Sequence, residues 1–333
     1  MDVTPAAVTP KQFAPAAKRP FSILGFSSAQ AVAFLLMVGI IVAGPFIGIY
    51  PVFLMKVLCF ALFACAFNLL IGFVGLLSFG HAAYFGMGAY VTAWCAKSLG
   101  VTPEIAILLG GLAGAGLGTA FGLLAIKRQG LYFAMITLAL AQMAYFFCLQ
   151  APFTGGEDGI QQVPRGNLFG VIPLRDDMAM YAVVATLFLA GFLLIHRVVH
   201  SPFGQVLKAI RENEPRAISL GYRTDDYKLV AFILSTFIAG LAGGAKSLVF
   251  GIATLTDVHY SMSGEVVLMA LLGGMGTIFG PVVGATIIKY TEVALAGAGS
   301  WVTVTQGVIF VVCVLAFRRG VIGEIAALIR RPL

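Results

Sequence analysis

The sequence predicts an all-α polytopic membrane protein with about eight transmembrane helices plus a glycine-rich re-entrant or broken-helix region. Three observations carry this. Of its 333 residues, 60% are hydrophobic and only 11% charged, and the mean hydropathy is +0.98, which excludes an ordinary soluble domain. Apolar runs long enough for a span, about 20 residues each, recur along the chain. The Lys and Arg residues behind the net charge of +7 gather at the ends of those runs. That pattern marks topology determinants and not a nucleic-acid surface.

Residues 1–28 are rich in Pro and Ala and carry Lys11, Lys18 and Arg19 ahead of the first apolar run. No small-residue cleavage site follows a short apolar core, so this reads as a retained cytoplasmic tail. Within 29–317 the expected spans are 29–49, 53–72, 78–97, 104–126, 131–150, 179–198, 228–250 and 301–317. Lys127 and Arg128 mark one cytoplasmic turn and the loop 199–227 a second, while the acidic 151–178 loop suits the outside. A single crossing by 262–295 would strand Arg318, Arg319, Arg330 and Arg331 outside, against the charge bias. Its centre, LLGGMGTIFGPVVGA, is interrupted by Gly273, Gly274, Gly276, Gly280 and Pro281. A broken hairpin of half-helices, or two short crossings, returns the chain outward and leaves 318–333 as a cytoplasmic tail.

The strongest polar island is Arg197 to Lys228. Asn213 or Glu214 can cap a helix there, Pro215 suits its first position, and Gly221 suits the left-handed residue just past its end. A short helix over Pro215–Leu220 on the basic side is a handle for a soluble partner; the alternative is a solvated loop obeying the charge bias. Polar contacts by Glu214 and Arg216 are expected at a rim, where water can replace them.

A second glycine-rich stretch, Gly72–Tyr90, holds Gly72, Gly75, Gly80, Gly86 and Gly88 with Ser78, His81 and Tyr84. Two such stretches in opposite halves of a chain suit paired broken segments around a transport site, and helix packing through small residues is the alternative. Ionisable residues near the bilayer are costly to bury. Lys246 and Glu265 could meet a zwitterionic solute or each other, or could respectively snorkel and stabilise a helix start. Ser78, His81, Thr137 and Gln142 are the neutral polar candidates, as pathway groups or as helix-to-helix hydrogen bonds. Five cysteines lie in apolar runs without metal-type spacing. His196 and His200 lack a metalloprotease arrangement, so no metal, cofactor or catalytic set is expected.

Several ordered blocks, NLLIGFVGLLSFGHAAYFGMGAY (68–90), GLYFAMITLALAQM (130–143), TGGEDGI (154–160), RENEPRAISLGYRTDDYKLVAF (211–232) and LVFGIATLTDVHYSMSGEVVLMALLGGMGTIFGPVVGA (248–285), resemble the LivM-type permease of branched-chain amino-acid ABC importers. The likeness runs from about residue 55 to 322. It implies a bacterial inner-membrane subunit with both termini cytoplasmic. Its partners would be a second, LivH-type permease, two cytoplasmic ATPases, a periplasmic amino-acid-binding protein and membrane lipid, with no nucleic acid. It also implies a docking loop of E-A-A-x-x-x-G type. With the glycine set on Gly221, Pro215, Arg216 and Ala217 stand at E-A-A, and only Ala217 and Gly221 match. Glu212, Asn213, Glu214, Pro215, Arg216, Ala217 and Gly221 are the expected ATPase-coupling residues.

No segment reads G-x-x-x-x-G-K-[ST]; GLAGGAKS (240–247) has Ala245 at the last glycine. ATP hydrolysis is therefore expected in a partner and not in this chain. Branched-chain or other hydrophobic amino acids are the expected solutes, with urea, short amides or aromatic acids as alternatives. An ion-coupled secondary transporter would show more membrane carboxylates than Glu265, which stands nearly alone in the sequence reading.

Overall fold

The computed structural model describes residues 28–298 apart from residue 171, positions 304, 305, 307, 308, 311, 312 and 315, and residues 320–329. Helix α1 covers Ser28–Ala43, and α2 covers Pro51–Asn68 and continues as a π-helical turn over Leu69–Val74. Then come α3 (His81–Ser98), α4 (Pro103–Ala125), α5 (Leu131–Gln150) and α6 (Asp177–Val199). Two shorter helices, α7 (Pro202–Glu212) and α8 (Glu214–Ser219), precede the long α9 (Thr224–Phe250), and α10 (Tyr260–Gly273) and α11 (Gly280–Ala294) form a hairpin. A last helix runs over Gly320–Ile329.

Five described helices are long and apolar enough to cross a membrane: Pro51–Val74, Pro103–Ala125, Leu131–Gln150, Asp177–Val199 and Thr224–Phe250. They match five of the expected spans. The expected span 29–49 shortens to α1, because the chain turns at 44–48. The expected 78–97 starts later, at His81, because residues 75–78 carry no regular structure and 79–80 form a turn. The region 262–295 holds two helices of 14 and 15 residues. They rise about 21 and 23 Å, less than the roughly 30 Å hydrocarbon layer. The expected span 301–317 lies largely outside the described residues, as do Arg318, Arg319, Arg330, Arg331 and the tail up to residue 27.

Burial decides which helices are central. An apolar helix that is buried all round belongs in the middle of the bundle. The spanning window of α2 is 94% buried, against 33% for α5, so α2 is a core element and α5 a peripheral one. Helix α3, with Ala82, Ala83, Tyr84, Phe85, Ala89 and Tyr90 all fully buried, packs on both α4 and α9, which also pack on each other. Three glycines allow that: a Cβ on Gly110 would lie 2.6 Å from the Gly88 carbonyl oxygen, and one on Gly240 would lie 2.7 Å from that of Gly110. The backbones of α3, α4 and α9 touch there, as small-residue packing between membrane helices requires. Residues 240–247, whose glycines superficially resemble a phosphate loop, are interior helix.

The two ends of the bundle differ. At one, α7 packs against the π-helical turn that follows α2, and α8 packs on α7 and α9. At the other, β1 (Ile160–Gln161) pairs antiparallel with β4 (Ile252–Ala253), and β2 (Asn167–Leu168) pairs with β3 (Ile172–Pro173). Arg165 pins this cap to the helix ends, donating to Asp177 Oδ1 at 2.6 Å and to the Val249 carbonyl at 3.0 Å.

Candidate functional site

The polar island carries two helices where the sequence reading expected one. Helix α7 is amphipathic: Ser201 caps it by accepting from the Gly204 N–H, Pro202 takes the first turn, and Leu207 and Ile210 are buried. Ser-Pro followed by apolar residues at 203, 206, 207 and 210 was a readable signal. Helix α8 has the ends its sequence dictates. Asn213 Oδ1 accepts from the Arg216 N–H at 3.1 Å. Past its end, Gly221 has φ +89°, while the Gly221 and Tyr222 N–H groups donate to the carbonyls of Ile218 and Ala217. That pair of bonds is a Schellman motif, which needs a left-handed residue where Gly221 stands.

Of the expected coupling residues, Glu212, Asn213, Pro215, Arg216 and Gly221 are exposed and Ala217 is buried. Glu214 requires a correction. It is not a rim contact: it forms an ion pair with Lys228, whose side chain is 2% exposed, and accepts from Thr224 Oγ1 at 3.1 Å. It braces α8 against α9 from within. Outward, α8 and its exit present Ile218, Leu220 and Tyr222, at 54%, 69% and 40% exposure.

The same hairpin reaches both glycine-rich stretches. Arg211, on the last turn of α7, donates to the Gly72 carbonyl. Asn68, one turn earlier on α2, donates to the Thr277 carbonyl at 2.8 Å and accepts from the Gly276 N–H at 3.1 Å. A Cβ on Gly72 would lie 2.7 Å from the Gly276 nitrogen. The break after α2 and the break between α10 and α11 therefore meet each other and α7 at one joint. Leucine at Asn68 keeps the bulk but orphans the Gly276 N–H and Thr277 carbonyl, each costing about 1–3 kcal/mol where buried. Asn68→Leu is thus expected to speed amide exchange at 274–279 and lower the melting temperature in detergent, leaving exchange in α5 unchanged.

The neutral polar candidates fall mostly inside the protein. His81 is fully buried, with Nε2 at 2.9 Å from Ser235 Oγ on α9, and aromatic rings of Phe63, Phe67, Tyr84 and Phe232 surround it. Ser78 is buried and accepts from the Gly80 N–H at 3.3 Å. Thr137 is buried on α5 and accepts from the Phe79 N–H at 3.3 Å. His81 ties α3 to α9 and Thr137 ties α5 to the broken segment, Ser78 bonds within that segment, and Gln142 is half-buried on α5.

Lys246 and Glu265 do not pair with each other. Lys246 meets both oxygens of Asp257, at 2.9 and 2.7 Å, with the carboxylate 3% exposed. Glu265 accepts from Lys289 at 2.6 Å. Lys289 also reaches Glu292 at 3.0 Å, and Glu292 reaches Lys56 at 2.8 Å. So Glu265 is far from alone: Asp257 and Glu292 join it, with Lys56 and Lys289 as counter-ions. Charges set in apolar runs were visible at 56, 289 and 292, but their pairing joins α2, α10 and α11 and is a tertiary fact.

A model of the family described as "Branched-chain amino acid transport system / permease component" matches residues 49–317. The chain belongs to this permease family. Among relatives, it is 28% identical over 244 residues to the "High-affinity branched-chain amino acid transport system permease protein LivM" of Salmonella typhimurium, and likewise to that of Escherichia coli; each match covers 66% of this chain and 57% of the relative. The chain thus spans little more than half the length of those relatives. It is 22% identical over 283 residues to the LivH permease protein of the same system in Salmonella typhimurium, covering 80% of this chain and 91% of that one. No solved structure matches it significantly. Membership of this family and five long apolar helices mark it as a multi-pass membrane protein.

Proposed function

We propose that this chain is the LivM-type membrane subunit of an ATP-driven importer, passing branched-chain or other hydrophobic amino acids delivered by a periplasmic binding protein. A LivH-type permease would complete the membrane pair, and two ATPases would bind on the cytoplasmic side. The observation that carries this is the α7–α8 hairpin: a capped helix with an exposed apolar tip, braced on α9 through Glu214 and joined through Arg211 of α7 to the glycine-broken segment at Gly72. A push on α8 has a continuous path to Gly72 and to the 274–279 loop.

In this reading the hairpin end is cytoplasmic, along with both termini. Residues 29–317 form the membrane domain, with eight spans and the α10–α11 hairpin as a broken, re-entrant pair. Basic residues support that orientation, since Lys127, Arg128, Arg197, Lys208, Arg211, Arg216 and Arg223 gather at the hairpin end or its neighbouring turn. A C-terminal reporter is expected to be active only in the cytoplasm; activity only in the periplasm would reverse the orientation.

The test of coupling is Gly221→Val. A Cβ at Gly221 meets nothing within 4 Å, so the cost is backbone strain of about 1–2 kcal/mol at φ +89°. Insertion should survive, and the complex should lose ATPase co-purification or the hydrolysis response to loaded binding protein. Wild-type association and uptake would mean that residues 215–221 do not dock the ATPase.

A further inference from the structure

The chain of charges at the end of the bundle opposite the α7–α8 hairpin has an environment its own contacts do not explain. Lys56 lies five residues into α2 and Glu265 five into α10, each about 8 Å from the helix end. Glu292 sits two residues before the end of α11. Lys289 is 3% exposed, and its ammonium is held by two carboxylates and by the Phe60 ring, 3.6 Å to the centroid. The other three are not sealed: Lys56 is 21%, Glu265 23% and Glu292 36% exposed. Beside Glu265, a Cβ on Gly264 would meet nothing within 4 Å. Facing lipid, such half-open charges would be expensive, so at this depth they face water or protein.

Charge order then narrows the occupant. The sequence Lys56, Glu292, Lys289, Glu265 alternates in sign and sums to zero. A net-neutral row of alternating charges has little attraction for a simple anion or cation. It does complement a small zwitterion, whose carboxylate can take a lysine and whose ammonium can take a glutamate by exchanging partners within the row. We infer that Lys56, Glu292 and Glu265 line a water-filled entrance on this side and receive the α-ammonium and α-carboxylate of the solute, with Lys289 as the buried anchor. This rests on the importer reading above and adds to it the groups that touch the backbone of the amino acid. Solute side chains are not read by this row, so selection among hydrophobic amino acids falls elsewhere.

The test uses the complete complex in proteoliposomes, with ATP inside and leucine-loaded binding protein outside. Gly264→Cys is treated from outside with a membrane-impermeant, charged thiol reagent, the native-cysteine chain giving the background. Labelling that arrests leucine uptake is expected. Glu292→Gln, which keeps size and hydrogen-bonding capacity, is expected to cut leucine uptake per ATP hydrolysed about tenfold, the value of one charge-assisted bond, with subunit assembly unchanged. Resistance of Gly264→Cys to the reagent would mean that lipid or a partner helix covers the row and would overturn the inference. Labelling without loss of uptake, or Glu292→Gln complexes that assemble and transport normally, would overturn it as well. Failure of the wild-type complex to take up leucine would instead remove the importer reading on which the inference rests.

Discussion

Glu214→Ala is expected to release α8 from the bundle. The substitution leaves the Lys228 ammonium, 2% exposed, without its carboxylate, and removes the acceptor of Thr224 Oγ1. Breaking a buried pair by deleting one partner costs about 3–5 kcal/mol, because an uncompensated charge stays behind. A helix of six residues has no stability of its own to oppose that. Trypsin should then cut at Arg216 and Arg223 many times faster, and the ATPase subunits should no longer co-purify. The double variant Glu214→Leu with Lys228→Met should recover most of the protection, since apolar groups of similar volume can replace a buried pair at little cost. Unchanged cleavage in Glu214→Ala would show that α8 is held by its caps and Ala217 alone. Arg216→Ala, by contrast, removes an exposed charge together with its own cleavage site, and should leave cutting at Arg223 near wild type.

Gly240→Val is expected to break the packing of α4 on α9 in the membrane bundle. Its Cβ would lie 2.7 Å from the Gly110 carbonyl oxygen, 3.1 Å from Gly111 Cα and 3.3 Å from Gly114 Cα. All three obstacles are backbone of α4, so no side chain can swing aside. Forcing extra carbon into close packing costs typically about 1–3 kcal/mol, and rigid backbone on every side puts this site at or above that upper end. The protein should lose its monodisperse detergent peak or melt far earlier. Gly116→Ala is the matching control: it lies on α4 with nothing within 4 Å of its Cβ, and helix propensity should make it neutral or stabilising by up to about 1 kcal/mol. Equal behaviour of the two variants would refute the three-helix glycine contact.

What could be read from the residues alone was whatever depends on neighbours along the chain. Five spans follow from length and hydropathy. The ends of α8 follow from Asn213, Pro215 and Gly221, because caps are made within four or five residues of the groups they satisfy. The breaks at 72–80 and 274–280 follow from glycine and proline placed where an apolar run should continue. Helix α7 is equally local in its Ser-Pro start and its apolar spacing, which its charges mask in the sequence.

Polarity, by contrast, did not reveal direction. Glu214 and Arg216 are two residues apart and both charged, yet one is sealed against Lys228 and the other is solvated; a sequence cannot say which way a side chain on a short helix faces. Lys246 and Glu265 looked like natural partners and are not. Asp257 lies eleven residues from Lys246 around a turn, and Lys289 lies across a helix hairpin from Glu265. Buried charges pair with whatever opposite charge the packing brings within about 4 Å, and that depends on helix crossings. The joint of Asn68, Gly72, Arg211 and Gly276 joins residues up to 208 positions apart. The sequence by itself determined an all-α polytopic membrane protein with two broken segments and a capped basic helix. Only the tertiary structure decided that the two breaks meet each other and α7 at one joint, because backbone contact between distant glycines is set by how the helices pack.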